Sequence, residues 1–249
     1  SDTGRVRDHN EDSFLAMPDV GVWLVADGMG GHAAGDFASG AIAESVASLG
    51  VPVSAPDLQA RFMDRIMRAH QAIKRQSAQL NGATVGATLV ALLSFDRHFA
   101  CIWSGDSRIY LLRAGQFAQV TEDHTEVNEL LRTGAITPEQ ALTWPRRNVI
   151  TRAIGVHDLP RTDERSGPLA DGDTFLLCSD GLTEHVEDFE MADALIALEP
   201  QAACDALVQL TLSRGARDNV TVLIVRCHER AAQQSLRPTH DPDDWHVGI

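Results

Sequence analysis

Several apolar runs in this chain end on a carboxylate. VWLVA (22–26) leads into Asp27, which opens the glycine-rich turn DGMGGH. HFACIW (98–103) is followed by SGD and Asp106, and DTFLLC (173–178) by Ser179 and Asp180. RDN sets Asp218 directly before the apolar run that ends at Cys227, and RVRDHNED (5–12) puts Glu11 and Asp12 just ahead of the first apolar stretch. Acids are poor strand formers, and burying one unpaired costs on the order of several kcal/mol. One such acid is a turn former. Five separate sites of this kind point to convergence on hard divalent cations. A ligand set made only of oxygen suits Mg²⁺ or Mn²⁺, and no His/Cys set suggests zinc. Gly28 would leave its carbonyl free to approach a cation. Gly181 would let a second strand end come close.

A phosphate-cradling glycine loop is the competing reading. Gly28, Gly30 and Ala33 do fit the dinucleotide pattern G-x-G-x-x-A. That fold also needs a second strand ending in an acid about 20 residues on. Residues 45–56 offer none, and the pattern leaves Asp106, Asp180 and Asp218 unexplained. The formal net charge of -14 argues against nucleic acid as a partner. It also opposes a phosphate substrate unless bound cations reverse the local field.

The elements that must position these acids follow from periodicity. Short strands are expected over 13–16 and 21–26, then a helix over 33–49 with Gly50 as its stop. A second helix starts at a Ser54 cap and shows one face of Leu58, Phe62, Ile66, Ala69 and Ile73. Runs at 87–95, 98–103, 108–113 and 117–121 read as an antiparallel meander. Residues 124–152 break the pattern, with two short helical pieces around Gly134, and read as an inserted flap. A strand at 173–178, helices over 189–198 and 201–213, and a buried strand at 219–227 complete a domain spanning 1–228. The segment 229–249 is polar and without period, as expected of a mobile tail. The order of elements predicts an α+β fold: a four-layer α-β-β-α sandwich, two antiparallel sheets flanked by helix pairs.

Bulk composition fits a globular protein, with 44% hydrophobic and 22% charged residues over 249 positions. No apolar run approaches the roughly 18 residues of a membrane helix, and no signal peptide is evident. The four cysteines form no Cys-x-x-Cys pair. Cys101, Cys178 and Cys227 lie in apolar runs, which fits a reducing, cytoplasmic location.

The ordered set RVRDHNED, VADGMGGH, VGATLVALL, WSGDSRIYLLRAG, ITRAIG, LLCSDGLTEHV and RDNVTVLIV resembles the metal-dependent serine/threonine protein phosphatases of the PPM, or type 2C, family. The resemblance runs from about Thr3 to Cys227. It implies the sandwich fold and hydrolysis of phosphoserine and phosphothreonine by direct attack of a water bridging two Mn²⁺ or Mg²⁺ ions. Asp27 would bridge both cations, Asp180 and Asp218 would complete the first, and the Gly28 carbonyl would bind the second. Glu11 and Asp12 would hold metal-bound waters, Asp106 with Asp180 would hold a third ion, and Arg7 would grip the substrate phosphate. Many eukaryotic members carry a histidine at the position of Met29 as proton donor. Met29 cannot serve, which leaves His32 as a candidate general acid beside the bland reading that it only packs the turn. The bacterial style of the motifs is similar to phosphatases that oppose Hanks-type kinases, so phosphorylated proteins of such a kinase are the expected partners, and a monomer is expected. WPRRNVITRAIG is similar to phosphatases associated with type VI secretion. An inactive relative that only binds a phosphoprotein is the alternative, but such a relative should have lost ligands.

Overall fold

A computed structural model describes residues 1–31 and 33–228. His32 and the expected tail, 229–249, lie outside the described residues.

The chain opens with a hairpin, β1 (Asp12–Met17) and β2 (Val22–Met29), closed at Gly21, whose φ of +74° suits glycine. Two long helices follow, α1 (Ala33–Ala47) and α2 (Ala55–Gln79). The Ser54 side chain caps α2 by accepting from Asp57 N at 3.2 Å. Then come β3 (Gly86–Ala87), β4 (Leu89–Phe95), β5 (His98–Ser104), β6 (Arg108–Arg113) and β7 (Gln116–Gln119). Two short helices, α3 (Glu126–Arg132) and α4 (Pro138–Leu142), flank Gly134 within residues 124–152. The last part holds β8 (Asp163–Pro168), β9 (Thr174–Cys178), α5 (Asp180–Thr183), α6 (Asp188–Ala197), α7 (Pro200–Ser213) and β10 (Val222–Arg226).

These strands make two antiparallel sheets. The first runs β1-β2-β4-β5-β8, with β3 paired to the end of β2; the second runs β10-β9-β6-β7. Strand alternation sets the layers. Val22, Leu24 and Ala26 of β2 and Leu89, Ala91 and Leu93 of β4 face α1 and α2, where Ile42, Phe62 and Ile66 are fully buried. Val25, Val90 and Leu92 face the other way, against Ile109, Phe175 and Leu177 of the second sheet. Tyr110, Leu176 and Cys178 then turn outward to Met191, Leu195 and Leu207 of α6 and α7. The four-layer α-β-β-α sandwich is as the sequence predicts.

Three details differ. β2 does not stop at Asp27: it continues through Gly28 and Met29, which pair with Ala87 and Gly86. Asp12 likewise begins β1, directly opposite Asp27 in register. The expected meander breaks after β5, because β6 belongs to the other sheet. The turn carrying Asp106 is thus the crossing between sheets. β8, with the sequence DERSGP, is an exposed edge strand that no apolar alternation announces.

Candidate metal centre

The acids converge where the two sheets meet at one end. A cavity of about 390 Å³ is lined by Arg7, Glu11, Asp27, Gly28, Asp106, Asp180 and Asp218, together with Met29, Thr88, Asn148, Ile150 and Asn219. Asp27 comes from β2, Asp180 from the start of α5 beyond β9, and Asp218 from the loop before β10. Asp12 lies beneath this lining. Its Oδ2 accepts from Ser179 Oγ and Thr221 Oγ1, both at 2.7 Å. Its Oδ1 is buried with no hydrogen-bond partner among the described residues.

Backbone packing brings the acids together. A Cβ on Gly181 would collide with the Asn219 carbonyl oxygen, so only glycine lets the Asp180 and Asp218 segments come this close. Gly28 is also a point of close backbone approach. A Cβ there would collide with the carbonyl oxygens of Gly35 and Glu11, so the bare backbone admits α1 and the Glu11 segment.

Asn219 is a residue that the sequence reading passed over inside its own RDN motif. Its side-chain oxygen accepts from Glu11 N at 2.8 Å, and its amide donates to the Thr3 and His9 carbonyls, both at 2.9 Å. It fastens the segment carrying Arg7 and Glu11 beside Asp218. Thr88 is a second such residue. Its hydroxyl accepts from Asp27 N at 3.0 Å and lies 2.7 Å from Ser107 Oγ, which joins the Asp27 strand to the Asp106 turn. Behind that turn, buried His124 accepts from Gly105 N through Nδ1 at 3.1 Å and lies 3.1 Å from an Asp163 carboxylate oxygen through Nε2. Only the sheet crossing gives Thr88 and His124 these partners, and no local spacing signals them.

Electrostatically the cluster is unsatisfied. Burial, then the Asp106 charge, raises the Asp180 carboxyl to about 8. Burial pushes Asp106 up to about 6, with Asp123 adding to the effect. Asp12 also rises to about 6, by burial against the hydrogen bonds from Ser179 and Thr221. Asp27 is held well above the carboxylate range by burial and then by Asp12, Asp180, Asp106 and Asp218. Among the described residues Arg7 is the one cation lining this cavity, and its Nη2 donates to Asp218 Oδ2 at 2.6 Å. Cys101 and Cys178, by contrast, are buried in the core with thiols pushed up to about 12, which leaves no thiolate for nucleophilic chemistry.

The donor set fits hard divalent cations: oxygen only, several carboxylates, a buried oxygen lacking a partner, and a mutual repulsion that positive charge would relieve. Among the described residues no three His, Cys, Asp or Glu side chains already close around one point. The cavity therefore offers ligands without holding a finished shell.

The sequence pattern of the family described as Protein phosphatase 2C matches residues 5–219, a span that takes in every described acid of the cavity. The chain belongs to the protein phosphatase 2C family. The phosphatase is 37% identical over 236 residues to the serine/threonine phosphatase stp of Listeria welshimeri, covering 90% of this chain and 93% of that protein. It is 39% identical over 227 residues to PstP of Mycobacterium tuberculosis, where the match covers 43% of the relative's length. Among solved structures it resembles PppA, described as a key regulatory component of the type VI secretion system in Pseudomonas aeruginosa, with TM-score 0.83, 40% identity and coverage of 90% of this chain and 94% of that one. It also resembles the PstP catalytic domain in complex with two manganese ions, with TM-score 0.79, 37% identity and coverage of 90% and 94%. This 2C phosphatase is thus a serine/threonine protein phosphatase, and its substrates are phosphoproteins. No helix among the described residues is long and apolar enough to cross a membrane.

Proposed function

We propose that the cavity holds two Mn²⁺ or Mg²⁺ ions and that the phosphatase hydrolyses phosphoserine and phosphothreonine there. The observation that carries this reading is the convergence of Glu11, Asp27, Asp106, Asp180 and Asp218, from both sheets, on one cavity with Arg7 in its lining. Asp27, Asp180, Asp218 and the Gly28 carbonyl would hold the pair of ions. Glu11 and Asp12 would act through water, and Asp106 with Asp180 would form a third position. Bound there, the cations would acidify a water and offset charge on the phosphoryl oxygens.

The chain's own residues do the rest. Arg7 offers a planar fork to the phosphoryl oxygens, and its hold on Asp218 sets where that fork starts. Asn219 and Thr88 keep the acids from moving apart when charge changes. Met29 lines the cavity but has no proton to give. The expectation for His32 falls outside the described residues.

Residues 1–228 form the phosphatase domain in this reading, and 124–152 act as a flap at its mouth. Asn148 and Ile150, from that segment, line the cavity. The likeness to PppA and the stretch WPRRNVITRAIG support a role opposing a Hanks-type kinase in a type VI secretion system. Four free cysteines, two of them buried in the core, support a reducing cytoplasm as its location, and we take it to act as a monomer.

Turnover of a phosphothreonine peptide and of a small aryl phosphate, with Mn²⁺ and after thorough chelation, tests the reading. Both should require the metal. Activity that survives chelation would end the two-cation mechanism.

A further inference from the structure

A second cavity, of about 470 Å³, opens beside the first and shares Asp106, Asn148 and Asp180 with it. Its remaining lining includes Arg108, Asp123, Glu184, His185, Arg147 and Arg217. The arginines there differ in how they are occupied. Arg108 is spent on Asp123, with Nε at 3.0 Å from both oxygens and Nη2 at 2.7 Å from Oδ2. Arg147 and Arg217 have no acid partner among the described residues, although both are exposed at this cavity.

The neighbours of these two sharpen the contrast. Arg146 is drawn to Glu126 at 3.1 Å, and Trp144 Nε1 donates to the same carboxylate at 3.1 Å, so the turn from Trp144 to Arg147 is anchored on one side. Arg147, next in sequence, lines the cavity instead. Arg214 is held by Glu190 through two contacts of 2.6 and 2.7 Å. Three residues on, Arg217 is fixed among the described residues only by its backbone, which donates to His185 Nε2 at 3.2 Å. In a chain of net charge -14, acids are in surplus, and nearby arginines find them. Two unpaired guanidiniums at one cavity, one from residues 124–152 and one beside Asp218, leave five-donor forks free for a ligand.

We propose that Arg147 and Arg217 form a subsite for a second anionic group on the substrate, a carboxylate or a further phosphate, close in sequence to the phosphoresidue being hydrolysed. The inference rests on the phosphatase reading of the first cavity. The shared wall at Asn148 gives the route: an extended peptide with its phosphate at the first cavity passes Asn148 and presents its flanking side chains to the second. Asp106 and Asp180, on the shared wall, belong to the cation set. Glu184 is the acid that remains, and it would turn away basic flanks.

The experiment compares kcat/KM on three phosphothreonine peptides, with neutral flanks, with glutamates on either flank, and with a second phosphothreonine, alongside an aryl phosphate at saturating Mn²⁺. The anionic peptides should exceed the neutral one by about tenfold at low salt, with the gap shrinking as ionic strength rises. Arg147→Ala and Arg217→Ala should each cut that ratio severalfold, and the pair together should bring it near one. Arg147→Lys should keep part of it. A larger effect with the second phosphate would identify phosphate as the preferred group, and an equal effect would mean that a carboxylate suffices; both support the subsite. Normal aryl phosphate turnover with equal rates on all three peptides would overturn it, as would a preference that survives the double substitution. Failure to hydrolyse even the aryl phosphate would overturn the phosphatase reading beneath it.

Discussion

At the scale of the residue, Asp27 has the most to lose. It stands in β2 among four other acids, and burial together with their charges opposes its ionisation. Asp27→Asn removes the anion but keeps the shape and the pairing with Asp12. Turnover should fall by more than tenfold, at least about 1.4 kcal/mol of barrier, while the melting temperature of the chelated protein holds or rises because repulsion has been relieved. Steady-state kinetics with a thermal melt checks both halves. The acids themselves were legible in the sequence, because a carboxylate at the end of an apolar run needs a reason. Their fastenings were not. Asn219 sits in a quoted motif, yet its three hydrogen bonds reach residues some two hundred positions away. Ser179, Thr221 and Thr88 are ordinary strand-end residues until the sheets dock.

At the scale of the element, close approach of backbones decides the geometry. The Asp180 and Asp218 segments touch at Gly181, where a side chain has nowhere to go. Gly181→Ala should cost about 1–3 kcal/mol as an overpacking change. It should weaken Mn²⁺ affinity more than that figure suggests, because the two acids are pushed apart; denaturant unfolding and a calorimetric metal titration would report the two effects separately. Equal loss in both would reduce Gly181 to a packing position. Helices α1, α2, α6 and α7 were readable from capping and from small or apolar periodicity, with boundaries close to those observed. β8 was not, because its six residues are largely exposed and polar and it gains its place only by pairing with β5. The break in the meander was equally hidden: Gly105 takes φ +110° and packs against Thr88, a long-range contact that no local pattern encodes.

At the scale of the whole molecule, the acidic end makes stability depend on both cations and pH. Asp12, Asp106 and Asp180 carry folded-state pKa values raised above the ordinary 3.8 to about 6, 6 and 8. The folded chain therefore binds more protons than the unfolded chain across that window, and stability falls as pH rises through it. The chelated protein should melt higher near pH 5 than near pH 8. Saturating Mn²⁺ should reverse that order, since cations replace the protons and add about 2.7 kcal/mol at a hundredfold excess over Kd. A pH series of melts with and without metal decides it, and parallel curves would show that the cluster is not the source.

Asn219 has one more consequence, for the order in which the protein is made. It ties residues 3, 9 and 11 to a position some two hundred residues later, and Asp218 arrives only one residue earlier. A chain emerging from a ribosome thus carries Asp27 and Asp106 before it carries the partners that complete the cavity. On the two-cation reading, the ligand set stays incomplete until the segment carrying Asp218 and Asn219 is delivered.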